Sequence, residues 1–209
     1  MTNIRKFLIF QLSVNVTTVA LCFLAPLLGI AQPFSIITIL YINLAMDTLA
    51  AIAFGCEPAL KKYMEQPPIK RSENIVTKNM WTQIGTVGVF STLVGLGILL
   101  WKPMQALYSP IIPSTEVAES ALLAFFMTTV IFNGFNARSK DYNILEHIGD
   151  NKAFLIVMSV VFLLLVFLIE VLGFVAGLTH LNIRTWLVMV GLALLIIPID
   201  LIRKTICTK

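Results

Sequence analysis

Asn43 and Asp47 lie in the stretch YINLAMDTLAA, Tyr41 to Ala51, inside a long apolar run. Four residues apart on a regular α-helix, an amide and a carboxylate stand about 40° from each other and can reach one ligand. A carboxylate at the centre of a membrane helix costs roughly 2.5–3.5 kcal/mol on insertion scales, so something must offset it. Two readings are open. Asp47 is either protonated and hydrogen-bonded to a neighbouring helix, or it holds a cation. No basic residue stands at mid-depth in any apolar run, so an internal salt bridge is not on offer. Hard cations prefer oxygen, and Ca²⁺ takes six to eight such ligands. Asn15, in SVNVTTV, is either a further oxygen ligand or interhelical glue. Thr18 follows it by three residues and lines the same side, whereas Ser13 and Thr17 face elsewhere.

The other polar residues point to structure first. Asn133 and Asn136, in FNGFNARSK, stand near the end of an apolar run and read as packing or helix-ending residues. Glu170 and Asp200 also lie towards the ends of runs, where snorkelling lowers the cost of charge, and are read as structural or gating residues. His147 and His180 have no partner at metal-ligand spacing. Cys22, Cys56 and Cys207 are odd in number and scattered, which argues for packing residues rather than a disulfide framework. Gly173 and Gly177 form a GxxxG pair, which can seat a neighbouring helix. Met46 and Met127 are core fillers.

The elements that position these residues follow from composition. Of 209 residues, 58% are hydrophobic and 12% charged, and a mean hydropathy of +0.90 marks a polytopic membrane protein. The net charge of +4 is not arranged as a basic stripe interleaved with exposed aromatics, which excludes a nucleic-acid surface. No charged side chain occurs between Lys6 and Asp47, a length that holds two spans of roughly 20 residues each. A signal peptide is rejected, because the first run is too long and carries Gln11, Ser13, Asn15, Thr17 and Thr18.

Six apolar runs emerge, at approximately 6–29, 34–55, 79–101, 117–137, 152–175 and 184–203, separated by turn chemistry such as EPALKKYMEQPPIKRSEN. All should be helices, since a lipid-exposed backbone must satisfy its own hydrogen bonds. The expected fold is an all-α membrane bundle of six spans. Of the 15 lysines and arginines, 13 fall on the side of the two termini, leaving only Lys102 and Arg184 on the other. Both termini are therefore expected in the cytoplasm. No internal repeat is visible, which counts against a transporter built from inverted halves.

Three stretches, RKFLIFQLSVNV, ILYINLAMDTLAAIAFGCEP and FNGFNAR, give the chain a family likeness. It resembles the carboxy-terminal membrane half of a P-type calcium-transporting ATPase, of the plasma-membrane type and bacterial. The likeness covers essentially residues 1–209, from the fifth to the tenth helix of a ten-helix pump, and implies a multi-pass protein of a bacterial inner membrane. It implies that Asn43 and Asp47 are ion ligands on the sixth helix and that Asn15 is one on the fifth. Pumps of this kind that carry two calcium ions use further acids, but the corresponding positions resemble Thr18 and Val130, so one Ca²⁺ site is implied.

The departures limit what the chain does alone. Nothing in it resembles the family's phosphorylated aspartate motif, nucleotide-binding domain, actuator domain or proline-interrupted fourth helix, so no catalytic residue is assigned. ATP and Mg²⁺ are expected only in those missing cytoplasmic domains. Asp47 offers at most two oxygens and Asn43 and Asn15 one each, fewer than Ca²⁺ requires. The expected partners are the lipid bilayer and the N-terminal half of the pump, in cis or as a separate chain. The chain then reads as a fragment, a piece of a split pump or a truncated gene product. An independent secondary cation transporter or channel, and a non-transporting membrane scaffold, are the rival readings.

Overall fold

The structure, a computed structural model, describes residues 2–30, 32–57, 74–109, 115–139, 143–144 and 148–207, leaving aside the side chains of 45–47, 115 and 116. Among the described residues there are helices and no strands. Six helices are long and apolar enough to cross a membrane: Thr2–Leu27, Ile36–Gly55, Lys78–Leu100, Val117–Arg138, Lys152–Glu170 and Ile183–Cys207, here the first to sixth spans. Lys61, Lys62, Lys70, Arg71, Lys140, His147 and Lys209 lie outside the described residues.

Local chemistry sets several ends. The first span closes in a left-handed Gly29 at φ 88°, with Ile30 N–H on Ala25 O at 3.0 Å and Gly29 N–H on Pro26 O at 3.1 Å, the pairing of a Schellman stop. Ser35 caps the second, its Oγ accepting from Thr38 N at 3.2 Å. Thr77 caps the third by accepting from Met80 N at 3.4 Å, and Asn151 caps the fifth by accepting from Phe154 N at 2.9 Å. The sixth span breaks at Leu195 into Ile183–Leu194 and Ile196–Cys207. Pro198 explains the break, since it has no N–H for the carbonyl four residues earlier and its ring crowds that carbonyl.

The fourth span is the centre of the bundle, with Ala121 to Met127 all at or below 1% exposure. The first, third, fifth and sixth spans pack around it. Glycine lets the third span approach: a Cβ on Gly95 would lie 3.0 Å from Leu21 Cδ2 and 3.1 Å from Leu122 Cδ1, and one on Gly88 3.0 Å from Val16 Cγ1. An aromatic cluster joins four spans at the end of the bundle that holds the termini. Phe54 meets Phe10 at 5.3 Å and Phe154 at 5.7 Å, and Phe154 meets Phe135 edge-on at 5.1 Å. At the other end, the short helix Lys102–Tyr108 folds back so that the Tyr108 hydroxyl donates to Ile98 O at 3.0 Å. Burial pushes that phenol up to about 12.

Gly173 and Gly177 do not seat a neighbouring helix. They bracket the single turn Gly173–Ala176, where Leu178 N–H meets Gly173 O at 2.8 Å and Gly177 takes φ 73°. The pair makes a chain reversal, which needs the same two glycines for backbone reasons.

Candidate ion site and the polar network at the end of the bundle

The second span is not one regular helix. Its backbone is α-helical over Ile36–Leu44, π-helical over Ala45–Ala50 and α-helical again over Ala51–Gly55. The about 40° between Asn43 and Asp47 belongs to a regular α-helix, and here the second of the two stands in a wider i→i+5 turn of a kind often found at functional sites. The Asp47 side chain lies outside the described residues. Tyr41 fixes the rotation of this span by donating to Val161 O of the fifth at 2.9 Å. Ile42 turns inward at 1% exposure, and Asn43 is consequently exposed.

Asn15 is exposed as well, on the opposite side of the first span from buried Ser13, Val14 and Thr17. Ser13 and Thr17 give their hydroxyl protons to carbonyls one turn back, at 2.7 and 2.8 Å. Thr18 Oγ1 is shielded and has no partner among the described residues. Neither the Asn15 nor the Asn43 side chain makes a hydrogen bond to a described residue, and the structure does not join them to each other. Both amides stand among exposed apolar side chains, Val16 and Val19 beside Asn15, and Leu40 and Leu44 beside Asn43. An amide cannot face hydrocarbon without a cost of about 1–3 kcal/mol or more, so each of these two positions calls for a polar partner.

Asn133 and Asn136 are both 1% exposed. Asn136 donates to Ile196 O at 3.1 Å, beside the break in the sixth span, which is a packing role. Asn133 keeps both amide atoms without a partner among the described residues and lines a cavity of about 10 Å³ with Ser13, Thr17, Ser91 and Thr129. That is close to the space one water occupies. Glu170 accepts from Trp186 Nε1 at 2.9 Å and lies 3.2 Å from His180 Nδ1, tying the turn after the fifth span to the sixth span.

The strongest polar network centres on Glu57, which sequence reasoning left unassigned. Its side chain is 5% exposed and meets Lys6 Nζ at 3.2 Å and Arg138 Nε at 3.1 Å. Asn151 Nδ2 donates to its other oxygen at 2.6 Å and to Ala53 O at 3.2 Å, while Asn3 Nδ2 donates to its main-chain carbonyl at 2.9 Å. The guanidinium of Arg138 also lies over the Phe154 ring at 5.8 Å. One carboxylate thus joins the first, second, fourth and fifth spans. The signal was available: GCEP sets an acid just past an apolar run, and FNAR sets a base at the end of another that closes on the same side.

Asp200 is fully buried, where snorkelling was expected. It accepts from Arg203 Nε at 2.7 Å and lies 3.3 Å from Lys204 Nζ. Arg203 also donates to Asn79 Oδ1 of the third span at 2.9 Å. The difference arises because the cations one turn ahead fold back over the acid and seal it against the bundle.

Residues 31–206 match the family described as Cation transporting ATPase, C-terminus. The chain is 32% identical over 206 residues to Calcium-transporting ATPase 10, plasma membrane-type, of Arabidopsis thaliana, and 33% identical over 210 residues to Calcium-transporting ATPase 8, plasma membrane-type, of the same plant. It is 31% identical over 212 residues to Calcium-transporting ATPase 5, plasma membrane-type, of Oryza sativa subsp. japonica. Each alignment takes in 98% of this chain and 19% of the relative, so the chain spans about a fifth of the length of the proteins it matches. These relatives are plant proteins and lend no support to the expected bacterial source. The family match runs over five of the six spans and includes Asn43, the π-helical turn and, of the Glu57 network, Glu57, Arg138 and Asn151, and on that ground this multi-pass membrane chain belongs to the C-terminal family of cation-transporting ATPases.

Proposed function

We propose that this chain is the membrane portion of an ATP-driven calcium pump and contributes one Ca²⁺ site built on Asn43, Asp47 and Asn15. One observation carries the reading: two amides at mid-span, Asn15 and Asn43, face outward among apolar side chains with no hydrogen bond to a described residue. The names of the plant relatives supply the ion and the energy source. Residues 1–209 act as one transport domain, with both termini in the cytoplasm. The first and third spans start, and the fourth and sixth end, around a shared cavity, which supports placing the 13 basic residues on one side.

Asp47 supplies the charge and up to two oxygens, and the two amides one oxygen each. The remaining ligands come from protein docked on the exposed face, since Ca²⁺ takes six to eight oxygens. That partner is the rest of the pump, in cis or as a separate chain, and it carries the ATP and Mg²⁺ sites. Conformational change there would open the ion site first to one side and then to the other, with Asp47 binding and releasing the ion.

The test is calcium transport by a complete pump carrying these spans. Asp47→Asn keeps the shape and one acceptor but removes the charge. Apparent calcium affinity should fall at least roughly a hundredfold, about 2.7 kcal/mol, and further than in Asn43→Ala. Near-normal affinity in Asp47→Asn would replace the ion-ligand reading with that of a protonated, hydrogen-bonded acid.

A further inference from the structure

The cavity of about 10 Å³ between the first, third and fourth spans is lined by Ser13, Thr17, Ser91, Thr129 and Asn133 among apolar side chains. All five polar side chains are no more than 2% exposed. Ser13 and Thr17 stand near the middle of Thr2–Leu27 and Ser91 near the middle of Lys78–Leu100, so the cavity lies at mid-depth, away from both membrane surfaces.

Three of the hydroxyls have already given away their protons. Ser13 donates to Ile9 O at 2.7 Å, Thr17 to Ser13 O at 2.8 Å and Thr129 to Phe125 O at 2.8 Å. Lone pairs are what remain on these oxygens, and each can still accept. Asn133 brings the complement, since its Nδ2 carries two protons and has no acceptor among the described residues. Acceptors on the first and fourth spans and a donor on the fourth thus surround one small space without pairing across it. A buried donor left unpaired costs more than an ordinary hydrogen bond contributes, and cavities that stay dry are apolar ones. A bare cation would find oxygens but, among the described residues, no carboxylate in the lining, and uncompensated charge in so apolar a place is far costlier than a neutral molecule. The volume suits one water and nothing larger.

We propose that this cavity is a binding site for a single water, which joins the first span to the fourth. The water accepts from Asn133 Nδ2 and donates its two protons to two of the hydroxyl oxygens of Ser13, Thr17 and Thr129. Three hydrogen bonds are the usual number for a buried water. The bridge uses neutral groups only, lies on the opposite side of the first span from Asn15, and does not depend on the transport reading.

The test uses the full chain in nanodiscs, read by thermal midpoint. Asn133→Leu keeps the approximate volume and removes both amide atoms. An amide that is merely unpaired would be relieved by this change and the midpoint would rise, whereas loss of a water bridge should lower it by roughly 2–10 °C. Because tight packing of leucine could also lower the midpoint, Thr17→Val supplies the second arm of a double-mutant cycle. Asn133 and Thr17 share no direct hydrogen bond, so a water between them should make the second change cost clearly less once the first is made, while a packing effect alone would leave the two shifts additive. In the unaltered chain labelled with ¹⁵N, the Asn133 side-chain amide should show a nuclear Overhauser effect to a long-lived water, with the cross-peak assigned by its disappearance in Asn133→Leu. A higher midpoint in Asn133→Leu, additive shifts in the cycle or no such cross-peak overturns the proposal. So does a midpoint that rises with sodium and loses that dependence in Asn133→Leu, which would assign a monovalent cation instead.

Discussion

Replacing Glu57 with glutamine should be among the most damaging single changes at the terminal end of the bundle. The substitution keeps the side chain's shape and leaves an acceptor for Asn151, 2.6 Å away. It removes the negative charge shared by Lys6 at 3.2 Å and Arg138 at 3.1 Å, both with side chains no more than 4% exposed. Breaking a buried pair by neutralising one member costs about 3–5 kcal/mol, because the remaining charges stay out of water. At about 2–4 °C per kcal/mol for a chain of this size, the thermal midpoint in detergent should fall by roughly 6–20 °C. Lys152→Gln, at an exposed site, should shift it by no more than a few degrees. The decisive measurement is a double-mutant cycle with Arg138→Gln, in which the second change should cost much less once the first is made. Additivity within about 0.5 kcal/mol, or a Glu57→Gln midpoint near that of the unaltered chain, would refute the shared-charge argument.

Gly173→Ala should destabilise the turn after the fifth span by about 1–3 kcal/mol, since its Cβ would stand 2.8 Å from the Leu178 carbonyl oxygen; thermal unfolding measures it, and an unchanged midpoint would count against the turn geometry. Gly95→Leu should lower the midpoint more than Gly95→Ala, because the first, third and fourth spans meet there with a Cβ contact of only 3.0 Å; equal effects would mean that the spans can separate. A single cysteine at position 78 or 152, in a background without Cys22, Cys56 and Cys207, should escape an impermeant thiol reagent applied outside intact cells, while one at 102 should react. Labelling at 78 or 152 from outside would reverse the proposed orientation.

The six apolar runs were legible because lipid imposes the same demand on every span: an uninterrupted apolar helix that satisfies its own backbone. Asn15 and Asn43 were legible as polar exceptions in such runs, and the structure finds both exposed. The π-helical turn at Ala45–Ala50 was not, since AMDTLA contains neither proline nor glycine to mark a departure from α geometry. Glu57 was missed because an acid before a proline reads as loop, and only the folded bundle brings Lys6 and Arg138 to it across separations of 51 and 81 residues. Asp200 was read as a structural or gating residue near a span end, its charge eased by snorkelling, because its position in the run says nothing of the direction its own cations take.

The burial of the fourth span bears on how the protein is made. It is the least apolar of the six, with a mean hydropathy of 1.5 against 1.8–2.9 for the others, and the most enclosed, with 83% of its window buried. Ser120, Thr128, Thr129, Asn133 and Asn136 lie inside the bundle, but during synthesis lipid would be their first surroundings. The third span carries glycines where the first and fourth approach, so a receptive groove can be assembled before the fourth emerges from the ribosome. Such a segment is poorly equipped to partition into a bilayer alone and well equipped to enter against helices already there. The chain order then becomes part of the design: the strongly apolar fifth span, at 2.9, follows directly and can hold its predecessor in place while the bundle closes.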